Sequence, residues 1–188
     1  MALSINELKT GFTILIDGQV FLILETQHVK PGKGSAFVRT KLKNIKTGFV
    51  LDKTFRSEEV EEAYLEQRKL QYLYPSVNHY VFLDQESFEE VHVSQDALKE
   101  KIKFLKDNIE VVAYSYKDEI LNVDLPNSIE VKIIETEPGI RGDTAKSGNK
   151  SAKIETGAII QVPLFINIGD TIKIDTRTGE YTERTSSV

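Results

Sequence analysis

Alternation of apolar and polar residues with a period of two is the dominant pattern in this sequence of 188 residues. It is clearest in residues 36–45, where Arg39 and Lys41 alternate with Val38 and Leu42. This spacing puts successive side chains on opposite faces of a β-strand, whereas an amphipathic helix needs a period near 3.6. Short runs of this kind recur every 8–12 residues, which is typical of small β-barrels. The sequence therefore predicts an all-β fold.

The predicted strands are short and separated by turn residues. They cover 12–16, 20–24, 36–45, 69–74, 79–83, 88–93, 109–116, 120–125, 129–135, 158–166, 171–175 and a segment around Tyr181. Asp17-Gly18 between the first two predicts a tight hairpin. A helix is predicted over 94–106, capped by Ser94 or Asp96, because apolar residues recur at 98, 102 and 105. Residues 57–64 fit either a helix or a strand.

The chain is long enough for three consecutive small barrels. We predict an N-terminal barrel at 1–63, a central barrel at 64–128 and a C-terminal barrel at 129–188. The tripeptide Leu125-Pro126-Asn127 indicates the second boundary, since proline and asparagine interrupt regular structure there. Residues 137–153 are rich in glycine, serine and lysine and are predicted to form a long linking or binding loop.

Charge is distributed unevenly along the chain. The net charge of −5 argues against a protein that coats nucleic acid through bulk charge. Residues 28–56, however, contain eight Lys and Arg against Asp52 alone, a local charge of +7, while residues 64–128 are net −5. Such a local field can steer a polyanion to one part of an acidic protein. The alternative is an ordinary solvated strand face.

No pattern of catalytic or metal-binding residues is found. The chain has no cysteine, which excludes disulfides, thiolate metal ligands and a cysteine nucleophile. The three histidines lack metal-ligand spacing, and Lys33 is followed by Gly34 where a phosphate loop needs Ser or Thr. We therefore expect no catalytic residues, no metal and no cofactor. No apolar run approaches 18 residues and the start carries Glu7 and Lys9, so a cytoplasmic protein that does not bind membranes is expected.

A loop between two strong strand candidates stands out. It reads HVKPGKGSAFVR over residues 28–39. Pro31 and Gly32 suit the central positions of a type II turn, which would put Lys33 at or just past the tip. Gly32 and Gly34 leave no side chains beside Lys33. This pattern predicts a slender finger that ends in one cation, and the competing interpretation is a glycine-rich hairpin with an exposed lysine.

Six separated motifs carry a family resemblance. They are HVKPGKG at 28–34, AFVRTKLKN at 36–44, QYLY at 71–74, LPN at 125–127, ETEPGIRGDTA at 135–145 and GEYTER at 179–184. On these motifs the chain resembles bacterial elongation factor P over essentially its whole length. The resemblance implies a KOW/SH3-like N-terminal barrel followed by two OB-type barrels, in an L-shaped, tRNA-like arrangement.

The resemblance also implies a function. The family binds the ribosome between the peptidyl and exit tRNA sites and relieves stalling at consecutive prolines. In the resemblance, Lys33 is the tip that reaches the CCA end of the peptidyl tRNA, and the finger loop around it consists of His28, Lys30, Pro31, Gly32 and Gly34. Contacts to tRNA phosphates are implied for Arg39, Lys41 and Lys43. A loop of Gly142, Asp143 and Thr144 is implied to lie near the exit-site codon, and Tyr181 and Arg184 are implied to be functional C-terminal residues.

The partners implied by the resemblance are both ribosomal subunits, peptidyl tRNA (prolyl tRNA above all) and the codon in the exit site. A lysine-modifying enzyme is also implied, because many members carry a covalent extension of the tip lysine, of β-lysyl or aminopentanol type. We expect a monomer. Two alternatives stay open: an elongation factor P-like paralogue, and a generic OB-type module for single-stranded RNA, whose stacking aromatics would come from Tyr72, Tyr74, Tyr80 and Tyr116.

Overall fold

The computed structural model describes residues 2–32, 34–57, 59–138 and 148–186. Its strands assemble into three sheets, one for each predicted barrel, and the all-β class is confirmed. The chain forms two compact units, one of residues 1–68 with 113–122 and the other of 69–112 with 123–188. The helices found in the described ranges are too short and too polar to traverse a bilayer.

The first sheet has six strands in the order β1-β6-β2-β3-β4-β5. Their bounds are Ala2–Leu3 (β1), Thr13–Ile16 (β2), Gln19–Val29 (β3), Phe37–Asn44 (β4), Val50–Phe55 (β5) and Val60–Glu62 (β6). The Asp17-Gly18 hairpin is confirmed, with φ of 49° and 74° at its two central residues and Ile16 paired with Gln19. Positive φ at both positions is the type I′ geometry that matches the twist of paired strands.

Strand β4 shows how the alternation builds the core of this sheet. Val38 and Leu42 are buried, while Arg39, Lys41 and Lys43 on the other face are exposed. Leu42 packs in a cluster with Ile14, Ile23, Phe55 and other apolar residues. Burying one such side chain contributes roughly 1.5–3 kcal/mol, which fixes the face that β4 presents to solvent.

The second sheet follows the order β11-β10-β7-β8-β9. Its strands are Glu66–Pro75 (β7), His79–Asp84 (β8), Glu90–Ser94 (β9), Glu110–Tyr116 (β10) and Glu119–Asp124 (β11). The predicted helix is present but shorter, since α1 covers Gln95–Leu98 and a 3₁₀ helix follows over Lys99–Phe104. Ser94 caps it by accepting a hydrogen bond from the N–H of Ala97, and Lys99, at φ 52°, ends the α-helical segment.

The third sheet follows the order β14-β13-β12-β15-β16. Its strands are Ser128–Thr136 (β12), Asn149–Ile154 (β13), Ile159–Pro163 (β14), Thr171–Asp175 (β15) and Tyr181–Ser186 (β16). The prediction of a loop through residue 153 is wrong, because β13 begins at Asn149 and pairs with both β12 and β14. Buried isoleucines at 133, 154, 172 and 174 form much of its interior.

Other boundaries differ from the predictions in smaller ways. Residues 57–64, open between helix and strand, contain β6. Strands β1 and β5 were not expected. The strand predicted from Phe88 begins at Glu90, and the one predicted to end at 166 stops at Pro163. Phe88 instead lies in the preceding turn with φ of 60°.

Candidate functional site

The finger projects from the longest hairpin of the first sheet. Strands β3 and β4 pair from Phe21 with Asn44 to Val29 with Phe37, so their regular pairing continues to the base of the loop. His28 lies exposed near the end of β3 and Lys30 follows it, also exposed. Two long paired strands thus hold a short connection at their end, which is how a rigid scaffold presents a functional loop.

The finger is slender on both sides of its tip. Pro31, Gly32 and Gly34 are exposed, and Lys33 itself lies outside the described residues. A Cβ added at Gly32 meets nothing within 4 Å, and one added at Gly34 meets only the Pro31 side chain at 4.0 Å. The predicted type II turn is wrong, because the positive φ of 105° belongs to Gly34 and Gly32 has none.

A row of cations runs along the outer face of β4. Arg39, Lys41 and Lys43 all point away from the core. Lys41 is the most compensated of them, since Glu25 and Asp52 lie directly across from it on the two neighbouring strands and its Nζ is 3.9 Å from Glu25 Oε1. Arg39 and Lys43, at the two ends of the row, therefore contribute most of the positive field of this face.

The residues directly across from Arg39 and Lys43 on the two neighbouring strands are uncharged. Gln27 and Thr54 lie across from Arg39, and its guanidinium carbon is 5.5 Å from the centre of the Phe37 ring. Leu22 and Val50 lie across from Lys43. A shallow cleft of about 500 Å³ opens on the Arg39 and Lys41 part of this surface. This geometry suits contact with the phosphates of a nucleic acid.

A second cluster surrounds Arg184 on β16. Its Nη1 lies 3.6 Å from Asp170 Oδ2, and its guanidinium carbon lies 5.3 Å from the centre of the Phe165 ring. Asp170 is buried and also accepts a hydrogen bond of 2.9 Å from the N–H of Asn167. The guanidinium is therefore held between a fixed carboxylate and an aromatic face.

Tyr181, at the start of the same strand, occupies a different setting. It is half-buried and lines a cleft of about 500 Å³ together with Phe104, Ile160 and Pro163. Gly142, Asp143 and Thr144 lie outside the described residues. Sequence reasoning missed Phe165 and Asp170, because Asp170 reads as an ordinary turn residue next to Gly169.

The aromatics of the alternative RNA-binding hypothesis do not form an open stacking face. Tyr72 is 5% exposed, and its burial raises the pKa of the phenol. Tyr116 packs against a small apolar cluster that includes Leu121. Tyr74 is exposed and Tyr80 is half-buried. Stacking of successive bases needs several exposed rings in a row, and these four do not provide them.

Within the described parts of the chain, no group of three or more His, Asp or Glu could hold a metal ion. His79 and His92 form a pair whose ring centres are 4.4 Å apart, with no third such residue placed to complete a group among the described residues.

Comparison with known proteins identifies the family. The models described as Elongation factor P (EF-P) KOW-like domain, Elongation factor P (EF-P) OB domain and Elongation factor P, C-terminal match residues 4–60, 65–123 and 129–184. Elongation factor P of Moorella thermoacetica is 54% identical over 183 residues, which covers 97% of this chain and 99% of that protein. The chain belongs to the elongation factor P family. It is thus a translation elongation factor by descent.

A second relative supports the same family, and two solved structures have a similar fold. Elongation factor P of Caldanaerobacter subterraneus is 53% identical over 180 residues, covering 95% of this chain and 97% of the relative. Among solved structures, eukaryotic translation initiation factor 5A from Methanococcus jannaschii has a TM-score of 0.54 at 24% identity, covering 65% of this chain and 93% of its own. A translation initiation factor eif-5a family protein from Naegleria fowleri has the same TM-score at 18% identity, covering 66% of this chain and 98% of its own. These structural likenesses show the fold alone.

Proposed function

We propose that this factor binds the ribosome between the peptidyl and exit tRNA sites and speeds peptide-bond formation at consecutive prolines. In this proposal the Lys33 finger positions the CCA end of the peptidyl tRNA and supplies no reacting group. The observation that carries it is the finger itself: a narrow loop in which exposed Gly32 and Gly34 flank position 33 in the sequence, at the end of the longest paired hairpin in its sheet.

The chemistry of proline explains why positioning would be enough. The ring of proline fixes φ near −65°, which limits the geometries open to the end of the nascent chain. Holding the reactants in alignment removes an entropic part of the barrier, and about 2.7 kcal/mol corresponds to a hundredfold in rate. A cation at the tip of a thin loop can bind the CCA phosphates without crowding the reaction centre.

The cations of β4 support the same proposal. We propose that Arg39, Lys41 and Lys43 contact tRNA phosphates while the finger reaches the CCA end. Arg39 and Lys43 would contribute most, because Lys41 already faces Glu25 and Asp52 across the strands. The acidic remainder of the chain would limit binding to other RNA through like-charge repulsion.

Further roles are proposed for residues elsewhere in the chain. We propose that the loop of Gly142, Asp143 and Thr144 approaches the codon in the exit site, and that Tyr181 and Arg184 contact the small subunit. The fixed guanidinium of Arg184 suits such a contact, since its rotamer freedom is already restricted by Asp170 and Phe165.

Binding specificity tests the choice of partner. Co-sedimentation with ribosomes that carry peptidyl tRNA should give an affinity at least tenfold higher than filter binding to naked single-stranded RNA at the same salt concentration. Equal affinity for the two would favour the generic RNA-binding module and contradict the ribosomal proposal.

Covalent extension of Lys33 forms a separate proposal. We propose that an enzyme of the host cytoplasm lengthens this side chain, for example with a β-lysyl or aminopentanol group, so that the tip reaches further. Intact-mass measurement on protein from the native host, followed by peptide mapping, should find added mass on Lys33. A mass equal to that of the sequence alone would contradict it.

A further inference from the structure

The same turn joins neighbouring strands once in each of the three sheets. In every copy the carbonyl of the first residue accepts from the N–H of the fifth, and the N–H of the first donates to the carbonyl of the sixth, all at 2.8 to 2.9 Å. The first and fifth residues of the three copies are Asn44 and Gly48, Asp84 and Phe88, and Asp175 and Gly179.

The fifth residue of this turn must adopt a left-handed conformation. Its φ is 78° at Gly48 and 75° at Gly179, where glycine takes this conformation without a steric penalty. In the second sheet the same position holds Phe88 at φ 60°. A bulky side chain there brings Cβ close to the backbone, so Phe88 is strained where the two equivalent residues are not.

Packing does not explain the choice of phenylalanine. The side chain of Phe88 is 75% exposed, so it gains little from burial within the fold. The conformation of the turn is stabilised independently of the Phe88 side chain, because buried Asp84 accepts hydrogen bonds from the N–H groups of Glu86 and Ser87 at 2.8 and 3.2 Å. Backbone strain at a residue that packing does not require indicates a functional role, and for an exposed aromatic ring that role is contact with a partner.

The charges around Phe88 indicate the kind of partner. Glu86, Glu89 and Glu90 are all exposed, and Gln85 binds a further carboxylate, that of Glu110, at 2.9 Å. The neighbouring strand adds one exposed cation, Lys69, whose carbonyl accepts from the N–H of Gln85. The surface is therefore net negative, which repels nucleic-acid phosphates and complements a basic protein.

We propose that Phe88 is the apolar anchor of an interface with a basic protein of the ribosome. Its ring would enter an apolar pocket on that protein, and the carboxylates of Glu86, Glu89 and Glu90 would face lysines and arginines around the pocket. Aromatic anchors surrounded by polar contacts are typical of the residues that dominate binding energy at interfaces. This inference rests on the proposed ribosome binding.

Site-specific cross-linking tests the nature of the partner. Benzoylphenylalanine placed at position 88 and irradiated with 70S ribosomes should cross-link to a ribosomal protein of basic composition. The matched control is position 77, where Val77 is 95% exposed in the turn at the other end of β8 and should give no such product. Cross-links from position 88 to ribosomal RNA alone would overturn the inference.

A third probe position separates this inference from the function on which it rests. Ser35 is exposed in the finger, and benzoylphenylalanine there should cross-link within the tRNA-binding region. Products from position 35 with none from position 88 would overturn the Phe88 interface and leave the proposed function standing. Absence of products from both positions, together with failure to co-sediment, would overturn both.

Substitution of Phe88 provides an independent measurement. Phe88→Asn keeps a residue that tolerates the left-handed conformation and removes the ring, so Tm should stay the same or rise while ribosome affinity falls about tenfold or more. Phe88→Tyr should retain most of the affinity. Wild-type affinity in Phe88→Asn would contradict the proposal.

Discussion

The surroundings of Arg184 show how single residues outside the sequence motifs, Phe165 and Asp170, define the site. Its guanidinium is fixed by a carboxylate on one side and an aromatic ring on the other, and both partners come from the segment between β14 and β15. Asp170 is 3% exposed, and its carboxylate contacts both the guanidinium of Arg184 and the N–H of Asn167. The position of Arg184 thus depends on a residue that looks like an ordinary turn residue in sequence.

Substitution of Asp170 tests this dependence. Asp170→Ala removes the carboxylate that accepts from the N–H of Asn167 and pairs with Arg184, so it should lower the free energy of unfolding by about 1–3 kcal/mol. Asp170→Asn keeps an oxygen that can accept from Asn167, so its loss should be smaller. Urea unfolding of the two variants and of wild type measures both losses of stability. A free energy of unfolding in Asp170→Ala equal to that of wild type would contradict the account.

Residues that break a pattern limit what sequence can predict. Lys150 is 8% exposed in β13 and donates to the carbonyl of Glu137 at 2.7 Å. With Lys150 and Ala152 at two of the three inward positions, this strand lacks the apolar alternation that identified β4. At the finger, the predicted type II turn put the positive φ at Gly32, but glycine also follows Lys33 and the structure has the positive φ at Gly34.

At the scale of elements, the turns determine how the strands are joined. Gly157 and Gly179 both have positive φ, of 90° and 75°, but they differ in surroundings. A Cβ at Gly157 meets nothing within 4 Å, whereas one at Gly179 comes within 3.2 Å of Phe104 Cζ. Gly179 is therefore required by both its conformation and its packing.

A pair of alanine substitutions separates these two effects. Gly157→Ala should lower the free energy of unfolding by about 1–2 kcal/mol, since only the left-handed conformation is strained. Gly179→Ala should lower it further, because Phe104 must also move. Chemical denaturation of both variants gives the comparison, and equal losses would show that the Phe104 contact is unimportant.

The same turn of β15 and β16 has an acid-sensitive member. Hydrogen bonds from Arg177 lower the pKa of Asp175 from its usual 3.8 to about 2. A carboxyl with a lowered folded pKa stabilises above its unfolded pKa and loses that contribution as pH falls through the folded one. The stabilisation is thus complete above about pH 4 and lost towards pH 2.

Asp175→Asn should therefore be less stable than wild type at neutral pH, by an amount that shrinks between about pH 4 and pH 2. Urea unfolding curves collected across this range measure the difference. A difference that stays constant with pH would show that the ionised carboxylate of Asp175 does not stabilise the turn.

Elements with strong alternation or turn chemistry were predictable. The Asp17-Gly18 hairpin and strand β4 agree with the sequence analysis because their turn residues and core face are unambiguous. The helix was overextended, since its apolar spacing continues past Lys99, where the backbone turns to φ 52°. Strand β5 has mostly exposed and half-exposed residues on both faces, so no periodic signal identified it.

At the scale of the whole molecule, net charge conceals the distribution that matters. The chain is net −5, yet residues 28–56 carry +7. The structure refines this further, because the cations of β4 share one face and Lys41 is the one most closely opposed by carboxylates. Sequence could count these charges, but cross-strand register was needed to show how they are compensated.

The salt dependence of ribosome binding tests whether Lys41 is compensated more than Lys43. Lys43→Ala should reduce the slope of log affinity against log salt concentration by about 1, because one phosphate contact is lost. Lys41→Ala should reduce it less, since Glu25 and Asp52 already offset that charge. Equal reductions in both variants would contradict the ranking of these two lysines.

The central claim is that Lys33 acts by positioning the peptidyl tRNA at consecutive prolines. The most direct measurement is the rate of synthesis of a polyproline reporter in purified translation, with wild type, Lys33→Ala and the control Lys9→Ala, which changes an exposed lysine outside the finger. Lys33→Ala should lose about tenfold or more of the stimulation on the polyproline reporter and show no difference on a proline-free one, while Lys9→Ala behaves as wild type. Equal stimulation by Lys33→Ala and wild type would contradict the role assigned to Lys33.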